Sequence, residues 1–342
     1  MDAIYKLIRL NRLVRSHRLK FAPVLAAHLL GMRHLFVRLD PIMACNLRCT
    51  MCYFTNDEYR KQVKGEFSSQ EIERIAELFF RQTLQLVVGC GTEPTLYKDF
   101  PEIIHIAKKF KVPFVGFTSN GQLLTKDHIS KFVEYGLDEL TLSVHGVERE
   151  TYERFMGRAS YERFHQVLRL VDEVKGERGS LVPSVRLNYT VNAESLAELQ
   201  TFFDVFGHYG IQTVQIRPII DFEGAYRQLL GPQELPLYST VIERLTGEAR
   251  RRRVTLLADR SDPLFNEKNI NSVILQAVLR RITPMEVWRP DFDWHEETYK
   301  DFCSRIGWSK HLFRLIFSSI DEVRRFNTGK WGDHAAKYDV IS

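Results

Sequence analysis

The chain has 342 residues, of which 44% are hydrophobic and 27% are charged, a composition typical of a soluble globular protein with room for one large α/β domain or two smaller ones. Its five cysteines are spread too unevenly to indicate a paired disulfide framework, and no secretory signal opens the sequence, so we predict a cytoplasmic protein.

The first 38 residues are strongly basic. They carry eight lysines and arginines against Asp2 alone, whereas the net charge of the whole chain is +5. Cations recurring every three residues spiral around a helix and do not form one face, which favours a structural N-terminal helix. A weak contact with an anionic membrane stays open, and the apolar run "FAPVLAAHLLGM" (21–32) is too short to span a bilayer.

Six short β-branched or aromatic runs alternate with helical stretches along the middle of the chain. The helical stretch at 68–82 opens with a serine cap, which we place at Ser69. The predicted strands are "HLFVRLD" (34–40), "LQLVVG" (84–89), "PFVGFTS" (113–119), "ELTLSVH" (139–145), "SVRLNYTV" (184–191) and "TVQIRPI" (213–219).

Six strand-helix units in a row predict an α/β fold with a parallel sheet and right-handed crossovers, and hence a partial (β/α)6 TIM-like barrel. Polar and small residues follow several strands, as in "GCGTEPT", "TSNG" and "SVHG", and the carboxyl ends of parallel strands are where sites form. We therefore divide the chain into an N-terminal helical extension (1–34), the barrel (35–220) and a C-terminal α/β cap or substrate-binding region (221–342).

Three of the five cysteines lie together in "CNLRCTMCYF" (45–54), at positions 45, 49 and 52. Structural zinc requires four ligands, and no fourth Cys or His follows at finger-like spacing. Three thiolates on one loop suit an iron-sulfur cubane with one iron left for an outside ligand. Zinc and a plain electron-transfer or sensor cluster remain the alternatives.

The triplet Cys45-x3-Cys49-x2-Cys52 followed by Tyr53 resembles the signature of the radical S-adenosylmethionine (SAM) superfamily. Three later strand ends resemble further motifs of that family in the same order: "GTEPTL" (91–96), "TSNGQLLT" (118–125) and "LTLSVHG" (140–146). The resemblance covers residues 35–220.

The resemblance implies that the three cysteines hold three irons of a 4Fe-4S cluster while SAM chelates the fourth. The reduced cluster would split SAM, and the 5'-deoxyadenosyl radical would abstract hydrogen from a substrate, which could be a peptide, a sugar or nucleotide, or a lipid. It also implies an electron donor such as flavodoxin or ferredoxin. We expect no nucleic acid partner.

Roles for individual residues follow from the same resemblance. Glu93 would pair with the SAM ammonium, Tyr53 would lie against the adenine, and Arg158 would meet the SAM carboxylate. Thr92 stands where the family has a second glycine. The remaining predicted cofactor contacts are Gly91, Pro94, Thr118, Asn120, Ser143 and Asn188. Arg217 at the end of the sixth strand could instead meet an acidic substrate group, and Asn192 near the end of the fifth strand is a similar candidate.

Two cysteines lie outside the triplet. Cys90 is predicted to be packing, whereas Cys303 is the candidate catalytic thiol that would return a hydrogen atom to a substrate radical if the cap folds over the barrel mouth. With one cysteine after residue 90, the chain is predicted to hold a single cluster. This count argues against close similarity to peptide-maturing branches with auxiliary clusters and to the GTP-cyclising enzyme of molybdopterin synthesis.

Overall fold

The computed structural model describes Val14 and residues 16–219, 229–259, 270–325 and 339–341. Four of the predicted N-terminal cations, Lys6, Arg9, Arg12 and Arg15, lie outside the described residues, as does most of the segment around them. The rest of the predicted extension contains one helix, α1.

The described strands form one ten-stranded sheet in the order β10-β7-β6-β5-β4-β3-β2-β1-β8-β9. Strands β1 to β8 are mutually parallel, and β9 and β10 pair antiparallel at the two edges. The strands are β1 Leu35–Leu39, β2 Thr83–Val88, β3 Phe114–Ser119, β4 Glu139–Val144, β5 Ser184–Val191, β6 Ile211–Pro218, β7 Thr255–Ala258, β8 Leu279–Thr283, β9 Glu286–Val287 and β10 Asp339–Ile341.

Helices connect these strands in the alternation expected of parallel units. They are α1 His17–Leu29, α2 Asp57–Gln62, α3 Ser69–Phe79, α4 Phe100–Lys109, α5 Lys126–Tyr135, α6 Arg149–Phe155, α7 Tyr161–Glu177, α8 Phe202–Phe206, α9 Leu235–Arg252, α10 Ile270–Val278, α11 Tyr299–Arg305, α12 Trp308–Phe317 and α13 Ile320–Arg325. Ser68 caps α3 instead of Ser69, because Glu71 three residues later completes a capping box.

The partial parallel barrel predicted from the sequence is confirmed, and all six predicted strands form within two residues of their expected ends. Two further parallel strands, β7 and β8, come from the region assigned to the C-terminal cap. Strand β7 extends the sheet beyond β6, and β8 pairs with β1 on the other side. The sheet does not close among the described strands, since β7 and β8 do not pair with each other.

The two faces of the sheet differ in chemistry. On β1, Leu35, Val37 and Leu39 are buried at the face that the helices cover, while Arg38 between them is exposed. On β8, Arg280 and Ile282 are buried in the same way and Arg281 is exposed. Side chains alternate along a strand, so the apolar core lies between sheet and helices and the other face lines the barrel interior.

Candidate active site

The cysteine triplet lies on the loop that follows β1, at the carboxyl edge of the sheet. Its backbone is tied to the end of α6, where Arg48 N–H donates to Gly157 O (2.8 Å) and Thr50 N–H donates to Phe155 O (2.9 Å). A Cβ at position 157 would come within 2.5 Å of Arg48 O, so only glycine permits this approach. The contact fixes the loop against the barrel.

Cys45, Cys49 and Cys52 are each half-buried. Burial raises the pKa of Cys45 to about 11, and it raises the pKa of Cys49 and of Cys52 as well. Cys52 and Cys45 act in the same direction on the pKa of Cys49, because thiolates at neighbouring positions would repel each other. Without bound metal the thiols are therefore neutral at pH 7, and iron binding would release their protons.

Within the described ranges, no three His, Cys, Asp or Glu side chains converge closely enough to bind one metal ion. A cubane has a different requirement, because each iron takes a single thiolate and the sulfurs stand around the cluster, not around one ion. Backbone N–H groups already point at two of the sulfurs: Leu47 N–H donates to Cys45 Sγ (3.5 Å) and Phe54 N–H to Cys52 Sγ (3.4 Å). These donors suit thiolate ligands, so the three residues fit a cluster.

The loop after β2 carries the "GTEP" motif and packs directly against the cysteine loop. Tyr53 Oη donates to Gly91 O (2.8 Å), and a Cβ at position 91 would come within 2.6 Å of that hydroxyl. Gly91 is therefore required for the close approach. Tyr53 also makes an edge-on contact with Tyr59, with ring centroids 4.9 Å apart. The predicted contact of Tyr53 with adenine stays a prediction.

Asp40, directly after β1, organises this loop and was missed from the sequence. Its carboxylate accepts from the backbone N–H of Cys90 (2.8 Å), Gly91 (3.0 Å) and Thr92 (3.3 Å), and from the hydroxyl of Thr92 (3.1 Å). Thr92, which departs from the family's second glycine, thus adds a donor to the same carboxylate. The signal for Asp40 was its place at a strand end, at the close of the run "HLFVRLD".

Glu93 is 2% exposed and held by residues from two loops. Its Oε1 accepts from the hydroxyls of Thr95 (2.6 Å) and Ser119 (2.8 Å) and from Thr95 N–H (3.2 Å), whereas Oε2 accepts from Asn120 N–H (2.8 Å). Burial raises the pKa of Glu93, and these hydrogen bonds partly oppose the increase. The carboxylate is fixed in place with room on Oε2 for another donor.

Two links join Glu93 to the cysteine loop. Glu93 N–H donates to Ala44 O (2.9 Å), next to Cys45, and Asn120 Nδ2 donates to Asn46 Oδ1 (2.8 Å). The structure therefore brings the ends of β1, β2 and β3 together, as the strand-end motifs predicted. Asn46 was missed because an asparagine inside a cysteine loop carries no distinctive pattern.

The other predicted contacts lie around the barrel mouth, and their cofactor roles stay predictions. Ser143 and Asn188 are register partners on β4 and β5, and Asn188 Oδ1 accepts from Arg186 Nε (2.9 Å). Arg158 is exposed, with φ of 74°. Thr118 is the register partner of Thr141 on β4, and Pro94 begins a short 3-10 helix.

Asn192 and Arg217 lie at the ends of β5 and β6. The buried Asn192 side chain accepts from Ser195 N–H (2.8 Å), a turn contact that accounts for this asparagine structurally. Arg217 is the register partner of Thr190. Burial lowers the pKa of His145 to about 4, and the charge of Arg217 contributes to this decrease.

Cys303 is not at the barrel mouth, so its predicted catalytic role is not supported. It is 3% exposed on α11 in the apolar core, within hydrogen-bonding reach of Tyr299, whose hydroxyl accepts from Arg280 (2.7 Å). Arg280 points to the helix-covered face of β8, opposite to the interior. Cys303 is placed there because α11 packs against the outside of the sheet.

Cys90 is exposed to solvent, which corrects the prediction that it is a buried packing residue. Protein atoms nevertheless surround it, and this burial raises its pKa to about 12, with Arg38, Asp40 and Arg281 close enough to act on it electrostatically. Arg38 and Arg281 lie on the face of the sheet that lines the barrel interior. Cys90 therefore faces the barrel interior beside the Gly91 loop.

Three comparisons bear on this site. Residues 40–202 match the family model described as "Radical SAM superfamily". A probable GTP 3',8-cyclase of Saccharolobus islandicus is 27% identical over 180 residues, covering 53% of this chain and 55% of the relative. A probable GTP 3',8-cyclase of Sulfolobus acidocaldarius is also 27% identical, over 186 residues, covering 54% of this chain and 56% of the relative. The chain thus spans about half the length of the curated relatives it matches.

Among solved structures, Streptococcus suis SuiB bound to S-adenosylmethionine shares the fold, with a TM-score of 0.61 and 15% identity, covering 93% of this chain and 74% of SuiB. The protein anSMEcpe, solved with AdoMet and a Cp18Cys peptide, has a TM-score of 0.58 and 14% identity, covering 87% of each chain. The cysteine count argued against close similarity to the GTP-cyclising enzyme, and probable GTP 3',8-cyclases do match this chain, at 27% identity. The prediction of a single cluster stays a prediction.

Proposed function

Because the chain belongs to the radical SAM superfamily, we propose that it binds a 4Fe-4S cluster and SAM at the edge formed by the ends of β1, β2 and β3. When bound and reduced, the cluster would supply the electron for reductive cleavage of SAM, the chemistry that would give methionine and a 5'-deoxyadenosyl radical able to remove a hydrogen atom from a substrate. Cys45, Cys49 and Cys52 would hold three irons as thiolates. The protein's own contribution is to position these groups and exclude water.

One observation carries this proposal: the Glu93 carboxylate is buried and fixed by four hydrogen bonds, and the backbone N–H of the same residue donates to Ala44 O, directly before Cys45. An ammonium drawn from water into such a place requires a paired charge. Glu93 supplies it next to the thiols. A cluster that only carries electrons or senses redox state would not require that carboxylate, so this arrangement favours SAM binding over the alternative.

The test uses anaerobically reconstituted protein with dithionite and SAM, and follows 5'-deoxyadenosine by chromatography. We expect the wild type to form the nucleoside and Cys49→Ala to lose both bound iron and product. Cys303→Ala removes a thiol outside the site and is the matched control, expected to retain iron and product. A wild-type protein that carries about four irons and binds no SAM would overturn the proposal in favour of a sensor or electron carrier.

We also propose that the protein contacts an anionic membrane through the surface formed by α1, the turn after it, α12 and the start of α13. Seven of the exposed large apolar side chains of the described residues lie there. They are Leu19, Leu29, Leu30, Met32, Phe313, Phe317 and Ile320. Arg18 and Lys310 are exposed on the same two helices, and no carboxylate occurs between Asp2 and Asp40. Exposed apolar and basic residues together match an anionic lipid surface.

No helix in the described part of the chain is long and apolar enough to cross a bilayer. The contact is therefore tested by cosedimentation with phosphatidylglycerol-containing vesicles and with purely zwitterionic ones. We expect binding to the anionic vesicles, weakened by salt and by Phe313→Ser with Phe317→Ser. Equal binding to both vesicle types, or no effect of the double variant, would count against it.

A further inference from the structure

A pair of arginines lies inside the barrel, on the neighbouring parallel strands β1 and β8. Arg38 of β1 and Arg281 of β8 are direct partners in the parallel register. Partners in a parallel ladder point to the same face, and both side chains are exposed while their neighbours on the opposite face are buried. The two guanidinium groups therefore share the interior face. Solvent reaches them although they lie within the barrel.

Two like charges on adjacent strands repel each other. Burial lowers the pKa of Arg281 and the charge of Arg38 lowers it further, while Cys90, Tyr53 and Asp40 act on this pKa with the opposite sign. The Asp40 carboxylate already accepts hydrogen bonds from the loop after β2, and these donors stabilise part of its negative charge. An oxyanion between the arginines would offset their repulsion, and guanidinium groups bind carboxylate and phosphate through paired hydrogen bonds.

The pair is also next to the proposed chemistry. Arg38 lies within hydrogen-bonding reach of Cys90, and Arg281 is close enough to Tyr53 to interact with it electrostatically. Tyr53 directly follows Cys52 and donates to Gly91. An anion held by the two arginines would thus lie beside the loops that carry the cluster ligands and Glu93.

We propose that Arg38 and Arg281 form an anion subsite that holds a phosphate or carboxylate group of the substrate inside the barrel. This inference rests on the proposed function, because it names the class of substrate that the proposed enzyme takes. Its test, however, does not require SAM cleavage. It predicts that the substrate of this chain carries an oxyanion, which positions the molecule from the β8 side of the barrel.

The experiment is arginine modification by phenylglyoxal on the reconstituted protein, without SAM or reductant, with the rate at each arginine read by peptide mass spectrometry. Inorganic phosphate is the first probe, acetate the second, and sodium chloride at equal ionic strength the control. Phosphate at about ten times its Kd should slow modification of both Arg38 and Arg281 roughly tenfold. Arg18, exposed on α1, is the internal standard and should react equally in all buffers.

The outcomes separate the two sources of the anion. Protection by phosphate alone assigns a phosphorylated substrate, and protection by acetate alone assigns a carboxylate. Equal modification in phosphate, acetate and chloride would overturn the subsite. Phosphate should no longer protect Arg281 in Arg38→Gln, whereas Arg314→Gln, on the outer surface, should leave protection unchanged. Full protection of Arg281 in Arg38→Gln would show that the arginines do not act as a pair.

Failure of the proposed function and failure of the anion subsite would give different experimental results. The arginines lie on strands and not on the cysteine loop, so Cys49→Ala should retain phosphate protection while losing iron and nucleoside formation. Protection in a wild-type protein that carries iron but neither binds nor cleaves SAM would leave the anion subsite standing and reject the radical chemistry. SAM cleavage without protection by either anion would reject the subsite alone.

Discussion

The Oε2 atom of Glu93 accepts a hydrogen bond from the backbone N–H of Asn120 at 2.8 Å, which ties the loop after β2 to the turn after β3. This contact fixes a carboxylate at the point where the proposed SAM ammonium would lie. The loop bearing the three cysteines is held to the same two turns, so small changes at Glu93 should act on SAM without removing the iron ligands.

Glu93→Gln is expected to weaken SAM binding and leave iron content unchanged. Loss of a charge-assisted hydrogen bond of roughly 1.5–3 kcal/mol corresponds to a Kd about ten to a hundred times higher. Because burial raises the pKa of Glu93, SAM affinity in the wild type should also fall on acidification at a higher pH than for an exposed glutamate. Calorimetric titration measures both effects. Wild-type affinity in Glu93→Gln would contradict the assignment, and Glu77→Gln, on the exposed side of α3, is the control.

Gly91→Ala is expected to disturb the same loop, because its Cβ would meet the Tyr53 hydroxyl at 2.6 Å. Such overpacking costs roughly 1–3 kcal/mol. The double variant Gly91→Ala with Tyr53→Phe removes the obstructing hydroxyl and should recover part of that loss, although the hydrogen bond to Gly91 O is gone. Urea denaturation of the four proteins of this cycle measures the coupling. Strict additivity of the two single changes would show that the contact is not what restricts position 91.

Asp40→Asn should loosen the "GTEP" loop, since the carboxylate accepts from three consecutive backbone N–H groups. We expect SAM affinity to fall about tenfold or more, consistent with the loss of charged hydrogen bonds of roughly 1.5–3 kcal/mol. Asp172→Asn is a matched control, because Asp172 accepts from Gly210 N–H far from the site. Iron content and SAM titrations together check the prediction. A variant with unaltered SAM affinity would mean that the loop is held mainly by other contacts.

Cys90 should react slowly with iodoacetamide at neutral pH although solvent reaches it. Burial raises its pKa to about 12, and only the thiolate is nucleophilic, so the rate should rise about tenfold for each pH unit up to that region. Cys303 is 3% exposed and should not be labelled while the protein is folded. Peptide mass spectrometry resolves the two sites. Rapid labelling of Cys90 at pH 7 would show that its thiol is ionised by the neighbouring arginines.

His34 should make the fold sensitive to acid. It is 4% exposed, and burial, with contributions from Arg280 and His28, lowers its pKa to about 4. The unfolded chain therefore binds a proton between pH 6.5 and 4 that the folded chain does not, so stability falls as pH falls through this window. The slope is roughly 1.4 kcal/mol per pH unit for this group.

The matched variant is His34→Gln, whose amide can still donate to Met32 O, the present partner of His34 Nδ1 at 2.8 Å. Denaturation midpoints at pH 7 and pH 5 compare the two proteins. The wild type should lose more stability on acidification than His34→Gln. Equal losses would assign the acid sensitivity to other groups, such as His145, whose pKa is also lowered to about 4.

The sequence was sufficient for the pattern of the barrel and for the order of its strand-end motifs. Apolar alternation located six strands, and the cysteine spacing located the loop after β1, because both signals are local in the chain. Glu93 and Asn120 were likewise identified by their motifs. Their mutual hydrogen bond was not, since it depends on how two turns meet.

Long-range pairing decided the rest. Strand β8 joins β1 across more than 200 residues, and only this pairing puts Arg281 beside Arg38 and turns Arg280 to the opposite face. The same outer packing of α11 buries Cys303, which its sequence context left free to reach the mouth. Register and sheet order set these positions, because side chains alternate along a strand and one step in register exchanges interior for core. The sequence by itself determined which residues can carry the chemistry, and the tertiary structure decided which side chains face the barrel interior.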